Sequence, residues 1–267
     1  MDINTRAVKE PRGFIRIIQF IFAILAFATT AGFDTQTVLD ISCKVDGKAK
    51  LDHVNYKVEY PFNFHDVPFK YPSKCGEEKS DTKYLKMDFS STAQFFVTVG
   101  VLCLLYSLGS LVFYLFMAKY YETNPLLPMI DLVATAILSI FWLAGSIAWA
   151  FRVSDVQYYT SPKQLKDEID YCKECFENPQ NCTVVCSIGK TGNWASLNVS
   201  LILGFGNLFV WASSCWFVFK ETTLHRKPMQ MGEGPQRFDS FGDQTRQGPI
   251  TQQNQFQQQQ QFTPSGY

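Results

Sequence analysis

Four long apolar stretches constrain this chain more than any other feature of its sequence. They occupy residues 14–33, 93–118, 130–150 and 194–219. The hydrocarbon core of a bilayer requires roughly 20 consecutive, mainly apolar residues in helical form, and each stretch meets that requirement. Buried helices of a soluble protein usually keep a polar face, which these stretches hardly show. We therefore predict an all-α membrane protein in which four transmembrane helices form a bundle.

The first stretch resembles a secretory signal peptide in position but not in detail. Its apolar run is longer than that of a signal peptide. The formal net charge of the chain is zero, whereas a nucleic-acid-binding protein requires a basic excess. We therefore expect a membrane, and no nucleic acid, among the partners of this chain.

Basic residues near the ends of the apolar stretches predict the orientation, because lysine and arginine close to membrane helices mark the cytoplasmic face. The predicted cytoplasmic parts are the N-terminus 1–13, the loop 119–129 and the tail 220–267. The loops 34–92 and 151–193 then lie on the lumenal or extracellular side. The residues that support this orientation are Arg6, Lys9, Arg12, Arg16, Lys119, Lys220, Arg226 and Lys227.

Six of the eight cysteines fall in the two loops on this oxidising side. Even counts in each loop fit disulfides, which persist in oxidising compartments. Cys103 and Cys215 lie inside the apolar stretches and are interpreted as small apolar residues. The loop cysteines are Cys43 and Cys75 in the first loop, and Cys172, Cys175, Cys182 and Cys186 in the second.

The four cysteines of the second loop admit more than one arrangement. Cys172 and Cys175 form a C-x-x-C pair, which in a cytosolic loop would indicate a zinc site. On the oxidising side, four cysteines allow three disulfide connectivities. We favour a nested arrangement, with Cys175–Cys182 inside Cys172–Cys186, because Pro179 and the neighbouring asparagines suit a tight turn.

Two asparagines match the sequence pattern for N-glycosylation. Asn181, followed by Cys182 and Thr183, lies in the second loop and is the candidate site. Asn198 lies within the fourth apolar stretch, so we expect it to carry no glycan.

Polar residues within the apolar stretches are few, and such residues are costly in hydrocarbon and often functional. Arg16 and Asp131 lie near the cytoplasmic ends of their helices, so we expect each charged group to reach the interface separately. This predicts no charged pair at depth. Asn207 is the deepest candidate and directly follows the pair Gly204 and Gly206. For Asn207 we favour an interhelical hydrogen bond with close backbone approach over a pore or substrate site.

The start of the first stretch contains a proposed cholesterol-contact pattern, formed by Arg16, Phe20 and Leu25. The alternative is a simple membrane anchor. No phosphate-binding glycine loop and no metal-binding helix motif is found, and the three histidines are scattered. We therefore expect no enzymatic activity, no metal and no cofactor, with cholesterol as a bound lipid.

The tail 220–267 is rich in glycine, proline and glutamine and cannot bury a core, which predicts disorder. Aromatic residues spaced through this polar tract favour weak multivalent contacts with cytosolic proteins, and an inert spacer is the alternative. These aromatic residues are Phe238, Phe241, Phe256, Phe262 and Tyr267.

The apolar stretches and their flanks also carry a specific sequence similarity. In chain order the segments are "KEPRGFIRIIQFIFAILAFATT" (9–30), "SSTAQFFVTVGVLCLLYSLGSLVFYLF" (90–116), "WLAGSIAWAFRVSDV" (142–156) and "SLNVSLILGFGNLFVWASSCWFVFKET" (196–222). Together they cover all four stretches, and they resemble the synaptophysin and synaptoporin family. The connecting loops and the tail match much less well.

That resemblance implies a four-helix bundle of the MARVEL type with cytoplasmic termini, in the membrane of synaptic or other small secretory vesicles. It also implies homo-oligomers, cholesterol binding and association with the vesicle SNARE synaptobrevin, whose sorting and retrieval the family assists. One disulfide per loop is usual in the family, which would pair Cys43 with Cys75 and Cys175 with Cys182. Cys172 and Cys186 are additional in this chain.

The chain departs from the family pattern in two places. The first-loop sequon of the family is absent from "LDISCKVDGKA" (39–49), and the tail has one tyrosine, Tyr267, in place of tyrosine–glycine repeats. The chain is identified as a divergent member that organises vesicle membrane and contacts cytosolic endocytic or sorting proteins through its tail. The alternatives are a channel or transporter-like pore and a cell-surface scaffold tetraspan. The loop cysteine counts differ from those of connexins, and the Cys-Cys-Gly motif of tetraspanins is missing.

Overall fold

A computed structural model describes residues 11–45, 48–74, 79–177 and 184–222 of the 267-residue chain. Four of the helices in these ranges are long and apolar enough to cross a membrane. The elements in chain order are α1 (Pro11–Ala31), β1 (Asp34–Val45), β2 (Lys48–Glu59), β3 (Pro68–Pro72), β4 (Ser80–Tyr84), α2 (Ser90–Thr123), α3 (Leu126–Tyr159), α4 (Pro162–Asp167), α5 (Asp170–Glu177), β5 (Val184–Lys190) and α6 (Ala195–Glu221). The predicted bundle of four transmembrane helices is confirmed, and it consists of α1, α2, α3 and α6.

Helices α2 and α3 are longer than the apolar stretches that predicted them. Each has 34 residues, which gives a length of about 51 Å against a hydrocarbon core of about 30 Å. Only Asn124 and Pro125 separate them, so most of the predicted loop 119–129 is helical. The Asn124 side chain accepts a hydrogen bond from the Leu126 backbone N–H at 3.1 Å, which satisfies one donor of the first turn of α3. Met117 has non-helical angles, φ −125° and ψ 26°, and kinks α2.

In the bundle, α1 and α3 lie diagonally opposite one another. Helix α1 packs against α2 and α6, and α3 packs most closely against α6, whereas α2 and α3 pack loosely. Glycines allow the close approaches. A Cβ atom on Gly204 of α6 would lie 2.7 Å from the Ser146 hydroxyl of α3, and one on Gly100 of α2 would lie 2.8 Å from Phe27 of α1. Small residues at these positions permit the van der Waals packing that stabilises helices in lipid.

The two long loops fold together into a unit on one end of the bundle, which we call the cap. β1 pairs with β2 in antiparallel register along both strands. β5, from the second loop, pairs with the other edge of β1 and places Cys186 opposite Ile41, so the strand order is β2-β1-β5. β3 and β4 form a separate antiparallel pair. The sequence analysis predicts none of these strands, although Val54, Tyr56 and Val58 show the alternating burial of a half-buried strand.

A layer of aromatic side chains joins the cap to the bundle. The ring of Phe62, in the first loop, has its centroid 5.4 Å from that of Trp149 in α3 and 5.7 Å from that of Phe33. Phe33 also stacks on Trp194 at 5.7 Å. Phe62 has a φ of 70°, a conformation that is costly for a bulky residue and persists only where packing enforces it. The cap is therefore fixed to the membrane helices by packing as well as by chain connectivity.

Polar contacts also connect the two loops within the cap. The Lys83 ammonium lies 2.7 Å from Glu168 Oε2, and the Tyr171 hydroxyl donates to the Pro72 carbonyl at 3.0 Å. The hydrogen bond to Glu168 raises the pKa of Lys83, and burial raises the pKa of Tyr171 to about 12. Both groups therefore keep their protons at physiological pH. The Lys83–Glu168 ion pair and the Tyr171–Pro72 hydrogen bond are both present under those conditions.

A disulfide between Cys172 and Cys186 connects α5 to β5. It is the outer pair of the nested arrangement, and it excludes these two sulfurs as zinc ligands. Cys43 is also disulfide-bonded, whereas Cys103 and Cys215 are free thiols. The residues of other sequence predictions lie outside the described part of the chain, namely Cys75, the side chain of Cys175, Asn181, Cys182 and the tail from residue 223.

Candidate functional site

A buried ion pair occupies the end of the bundle opposite the cap. The Arg16 Nη2 atom of α1 lies 2.5 Å from Asp131 Oδ1 of α3, and the side chains of these two residues are 1% and 9% exposed. Arg16 also donates to Gln19 Oε1 at 2.9 Å and to Thr135 Oγ1 at 3.2 Å. Charges removed from water are tolerated in a protein interior only when they are paired and hydrogen-bonded, and these contacts satisfy both conditions.

Three tyrosines of α2 donate hydrogen bonds to the same carboxylate. The Tyr106 hydroxyl donates to Asp131 Oδ1, and the hydroxyls of Tyr114 and Tyr121 donate to Oδ2 at 2.5 and 3.3 Å. The Thr135 hydroxyl, one turn further along α3, donates to Oδ1 at 3.3 Å. The carboxylate thus accepts hydrogen bonds from α2 and from its own helix α3, as well as from the Arg16 guanidinium of α1. We call Arg16, Gln19, Tyr106, Tyr114, Tyr121, Asp131 and Thr135 the polar cluster.

Aromatic rings complete the surroundings of the guanidinium. Its carbon lies 5.3 Å from the ring centroid of Tyr106 and 5.9 Å from that of Trp211 in α6. A cation within about 6 Å of an aromatic face is attracted by the ring quadrupole. Arg16, Tyr106, Asp131 and Trp211 come from α1, α2, α3 and α6, so the site connects all four transmembrane helices.

The expectation that Arg16 and Asp131 reach the interface as separate charges is wrong. Asp131 is the sixth residue of α3, which places it about 7.5 Å along the helix. At that position the opposite charge of α1 is within reach, so the two side chains turn inward and pair. In the sequence, the signal for this site was a basic residue near the end of one apolar stretch and an acidic residue near the end of another. Tyrosines on a third helix accompany them.

A cavity of about 380 Å³ lies beside the polar cluster, between α2 and α3. It opens on the outer surface of the bundle, where Leu105 is 59% exposed and Ile130 is 63% exposed. Gly109 contributes to the opening, because no atom lies within 4 Å of the position that its Cβ would occupy. The cavity is lined by Leu105, Tyr106, Gly109, Ser110, Phe113, Tyr114, Tyr121, Leu127, Ile130 and Asp131.

Asn207 forms the interhelical hydrogen bond favoured by the sequence analysis. Its Nδ2 donates to the Phe22 carbonyl of α1 and to the Leu203 carbonyl, both at 3.0 Å. The preceding residue, Gly206, allows α6 to approach α1 closely, since a Cβ on Gly206 would lie 3.1 Å from the Phe22 ring. Asn207 is completely buried, so it lies inside the bundle and connects α6 with α1.

The residues of the proposed cholesterol pattern do not share one surface. Arg16 is buried in the polar cluster, whereas Leu25 is exposed on the outside of α1 and Phe20 is half-buried. The guanidinium is therefore not available beside Leu25 for a lipid on the outer face of this helix.

Comparison with known protein families matches residues 7–217 to MARVEL, a membrane-associating domain. The chain belongs to the MARVEL family. The match covers all of the cap and nearly all of the four helices, and it includes the polar cluster and the cavity. Membership of this family identifies a multi-pass membrane protein, in agreement with the four apolar helices.

Proposed function

We propose that this MARVEL protein resides in the membrane of synaptic or secretory vesicles, where it oligomerises and organises the membrane. It binds cholesterol and a synaptobrevin-type SNARE, and it assists the sorting and retrieval of that SNARE. The observation that carries this proposal is the distribution of polarity in the bundle. Arg16, Asp131 and Asn207 turn inward, whereas many large apolar side chains turn outward. The exposed charged pair of α3, Arg152 with Asp155, lies near the end of that helix that adjoins the cap. The outward residues include Leu102, Leu108 and Val112 of α2, Ile137 and Ile140 of α3, and Val199, Ile202 and Phe209 of α6.

Such a surface supports a lateral mechanism. Lipid tails are as apolar as leucine, so helices associate in a bilayer through van der Waals packing and a few polar contacts rather than by hydrophobic exclusion. A rigid bundle with an apolar exterior presents the same packing surface to every neighbour. Oligomerisation multiplies that surface, and the single membrane helix of a SNARE can pack against it.

The disulfide supports the proposed orientation. Disulfides form and persist in oxidising compartments such as the lumen of secretory organelles. Cys172–Cys186 lies in the cap, which supports a lumenal cap and cytoplasmic termini. The tail then extends into the cytosol, where it contacts endocytic or sorting proteins.

A photo-crosslinking amino acid incorporated in native vesicles tests this proposal. At Ile140 and Ile202, both on the outer surface, we expect crosslinks to a second copy of the chain and to a synaptobrevin-type SNARE. The matched control is Leu138, which lies two residues from Ile140 but faces the interior, and it should give no intermolecular crosslink. A protein that is absent from vesicles, or that crosslinks to neither partner from either surface position, contradicts the proposal.

Truncation after Lys227 tests the role of the tail separately. The described helices and cap end before this point, so we expect folding and oligomerisation to be unchanged. Endocytic retrieval of the truncated protein should be slower, measured by uptake of a pH-sensitive lumenal fluorophore. Retrieval at the rate of the full-length chain would show that the tail carries no sorting contact.

A further inference from the structure

The cavity between α2 and α3 combines an apolar wall with one polar side. Leu105, Phe113, Leu127 and Ile130 supply apolar surface, and Gly109 leaves space that any larger residue would fill. The cavity opens on the lateral surface of the bundle, and Leu105, Gly109 and Phe113 belong to the apolar stretch 93–118, so lipid can reach it from the bilayer. Its apolar wall and lateral opening suit a lipid or part of one.

The polar side of the cavity is a row of hydroxyls along α2. Tyr106, Ser110 and Tyr114 are spaced four residues apart, so they lie on one face of the helix at intervals of about 6 Å. Tyr106 and Tyr114 use their protons on Asp131. The Ser110 hydroxyl lines the cavity and makes no hydrogen bond with any residue that the structure describes.

Ser146 and Ser214 also lack a partner among the described residues, but both are buried inside the bundle, whereas Ser110 lines the cavity. Several other serines of the described helices are hydrogen-bonded. Ser107, Ser139, Ser154 and Ser213 each donate to a backbone carbonyl three or four residues earlier. A hydroxyl without a partner in hydrocarbon carries a free-energy cost that a ligand removes by hydrogen bonding to it. Ser110 therefore marks the point at which a bound lipid places a polar group.

The charge of the site limits the class of lipid. Among the lining residues that the structure describes, Asp131 carries the one carboxylate, which is neutralised by Arg16, and the guanidinium is held on the inner side of the cluster. An anionic headgroup would meet the Asp131 carboxylate without a free cation among these described lining residues. The cavity thus suits an uncharged group that contains both hydrogen-bond donors and acceptors.

We propose that this cavity binds one ceramide-type lipid. Its hydroxyl and amide N–H lie close together on the sphingoid backbone, where they reach Ser110 and the neighbouring tyrosine oxygens. One of its hydrocarbon chains occupies the apolar part beside Gly109. Because hydroxyls of α2 lie above one another along the cavity, the site favours a lipid with several adjacent polar groups over one with a single hydroxyl. This inference does not depend on the compartment in which the protein resides.

The test uses the full-length protein in phosphatidylcholine nanodiscs with a photoactivatable, clickable ceramide, and maps the labelled peptides by mass spectrometry. We expect labelling of the α2 and α3 peptides that line the cavity. Gly109→Phe adds a large side chain at a position where a Cβ meets no atom within 4 Å, and it should abolish this labelling. Leu108→Phe, at the adjacent outer position, is the matched control and should leave it unchanged.

A second variant tests the hydrogen bond. Ser110→Ala retains the shape of the cavity, and loss of one hydrogen bond predicts a decrease in ceramide affinity of about two- to tenfold. Affinity is measured by competition of unlabelled ceramide against the probe. This variant also tests the site if Gly109→Phe fails to fold.

Three results would overturn the proposal. The first is equal labelling of the wild type and Gly109→Phe. The second is equal labelling of the cavity by a phosphatidylcholine probe with the same photoactivatable chain, which would show that any acyl chain enters. The third is a photoactivatable sterol that labels the cavity and is not displaced by ceramide, which would assign the cavity to a sterol.

Discussion

Arg16 and Asp131 form an ion pair across the diagonal of the four-helix bundle, with 2.5 Å between Nη2 and Oδ1. Their helices, α1 and α3, each pack against α6 and have few direct contacts with one another. The pair is therefore the principal polar connection between two helices that packing alone does not join. It also gives the three tyrosines of α2 a common acceptor, so a single carboxylate fixes the relative positions of α1, α2 and α3.

Removal of either charge alone is expected to destabilise the bundle strongly. Arg16→Gln leaves the buried Asp131 carboxylate without its cation, and Asp131→Asn leaves the guanidinium without its anion. Breaking a buried pair on one side costs about 3–5 kcal/mol. Each single variant should therefore unfold at a clearly lower temperature in detergent, followed by tryptophan fluorescence.

The double variant Arg16→Gln/Asp131→Asn distinguishes pairing from two independent effects. It contains no unpaired charge and retains an amide oxygen that accepts from the tyrosines. We expect it to lose less stability than the sum of the two single losses, which is the signature of a direct interaction in a double-mutant cycle. Additive losses would show that the two charges contribute separately.

Gly204 and Gly109 should respond in opposite ways to the same substitution. A Cβ on Gly204 would lie 2.7 Å from Ser146 Oγ and 2.9 Å from the Phe96 ring, whereas one on Gly109 meets no atom within 4 Å. Overpacking typically costs about 1–3 kcal/mol, so Gly204→Ala should lower the unfolding temperature. Gly109→Ala should leave it unchanged or raise it, because alanine favours the helix. Equal responses would contradict the observed packing of α3 against α6.

Phe62→Ala should uncouple the cap from the helices. The Phe62 ring contacts the rings of Trp149 and Phe33, and truncation of a buried phenylalanine costs about 3–5 kcal/mol. We expect faster proteolysis of the cap in the variant, measured on the purified protein before the helices unfold. Tyr84→Ala, at an exposed position of the cap, is the control. Unchanged proteolysis of Phe62→Ala would mean that the aromatic layer does not hold the cap.

Differential alkylation should separate the cysteines into two classes. In unreduced, denatured protein we expect Cys103 and Cys215 to react with an alkylating reagent, and Cys172 and Cys186 to react only after reduction. The bond between Cys172 and Cys186 closes a loop across a separation of 14 residues, for which the chain-entropy estimate is about 3 kcal/mol. Cys172→Ser/Cys186→Ser should therefore unfold at a lower temperature than the wild type. A reducing agent should lower the unfolding temperature of the variant less than that of the wild type, because the variant has no Cys172–Cys186 bond to lose.

If Cys172 reacts before reduction, the connection between α5 and β5 is absent from the purified protein. A Cys215→Ser variant provides the matched control, because Cys215 is outside any disulfide. It should retain the stability of the wild type within the small range expected for a conservative substitution.

The transmembrane helices and their number were predictable from local information. Each helix requires only a sufficiently long apolar stretch, and that property belongs to consecutive residues. Asn207 was also recognised, because an isolated amide beside two glycines inside an apolar helix needs a neighbouring helix to bond with. The outer cysteine pair, Cys172–Cys186, is part of the nested arrangement that was favoured because Pro179 and the neighbouring asparagines suit a tight turn.

The pairing of Arg16 with Asp131, the cavity beside them and the sheet of the cap depend on residues that are distant in the chain. A charge five residues inside a helix reaches either the interface or a partner, and which of these occurs depends on how the helices are arranged around it. In the same way, β1 becomes the central strand only because β5, more than a hundred residues later, folds back beside it. Contacts of this kind are set by the packing of the whole bundle, because no short segment contains both partners.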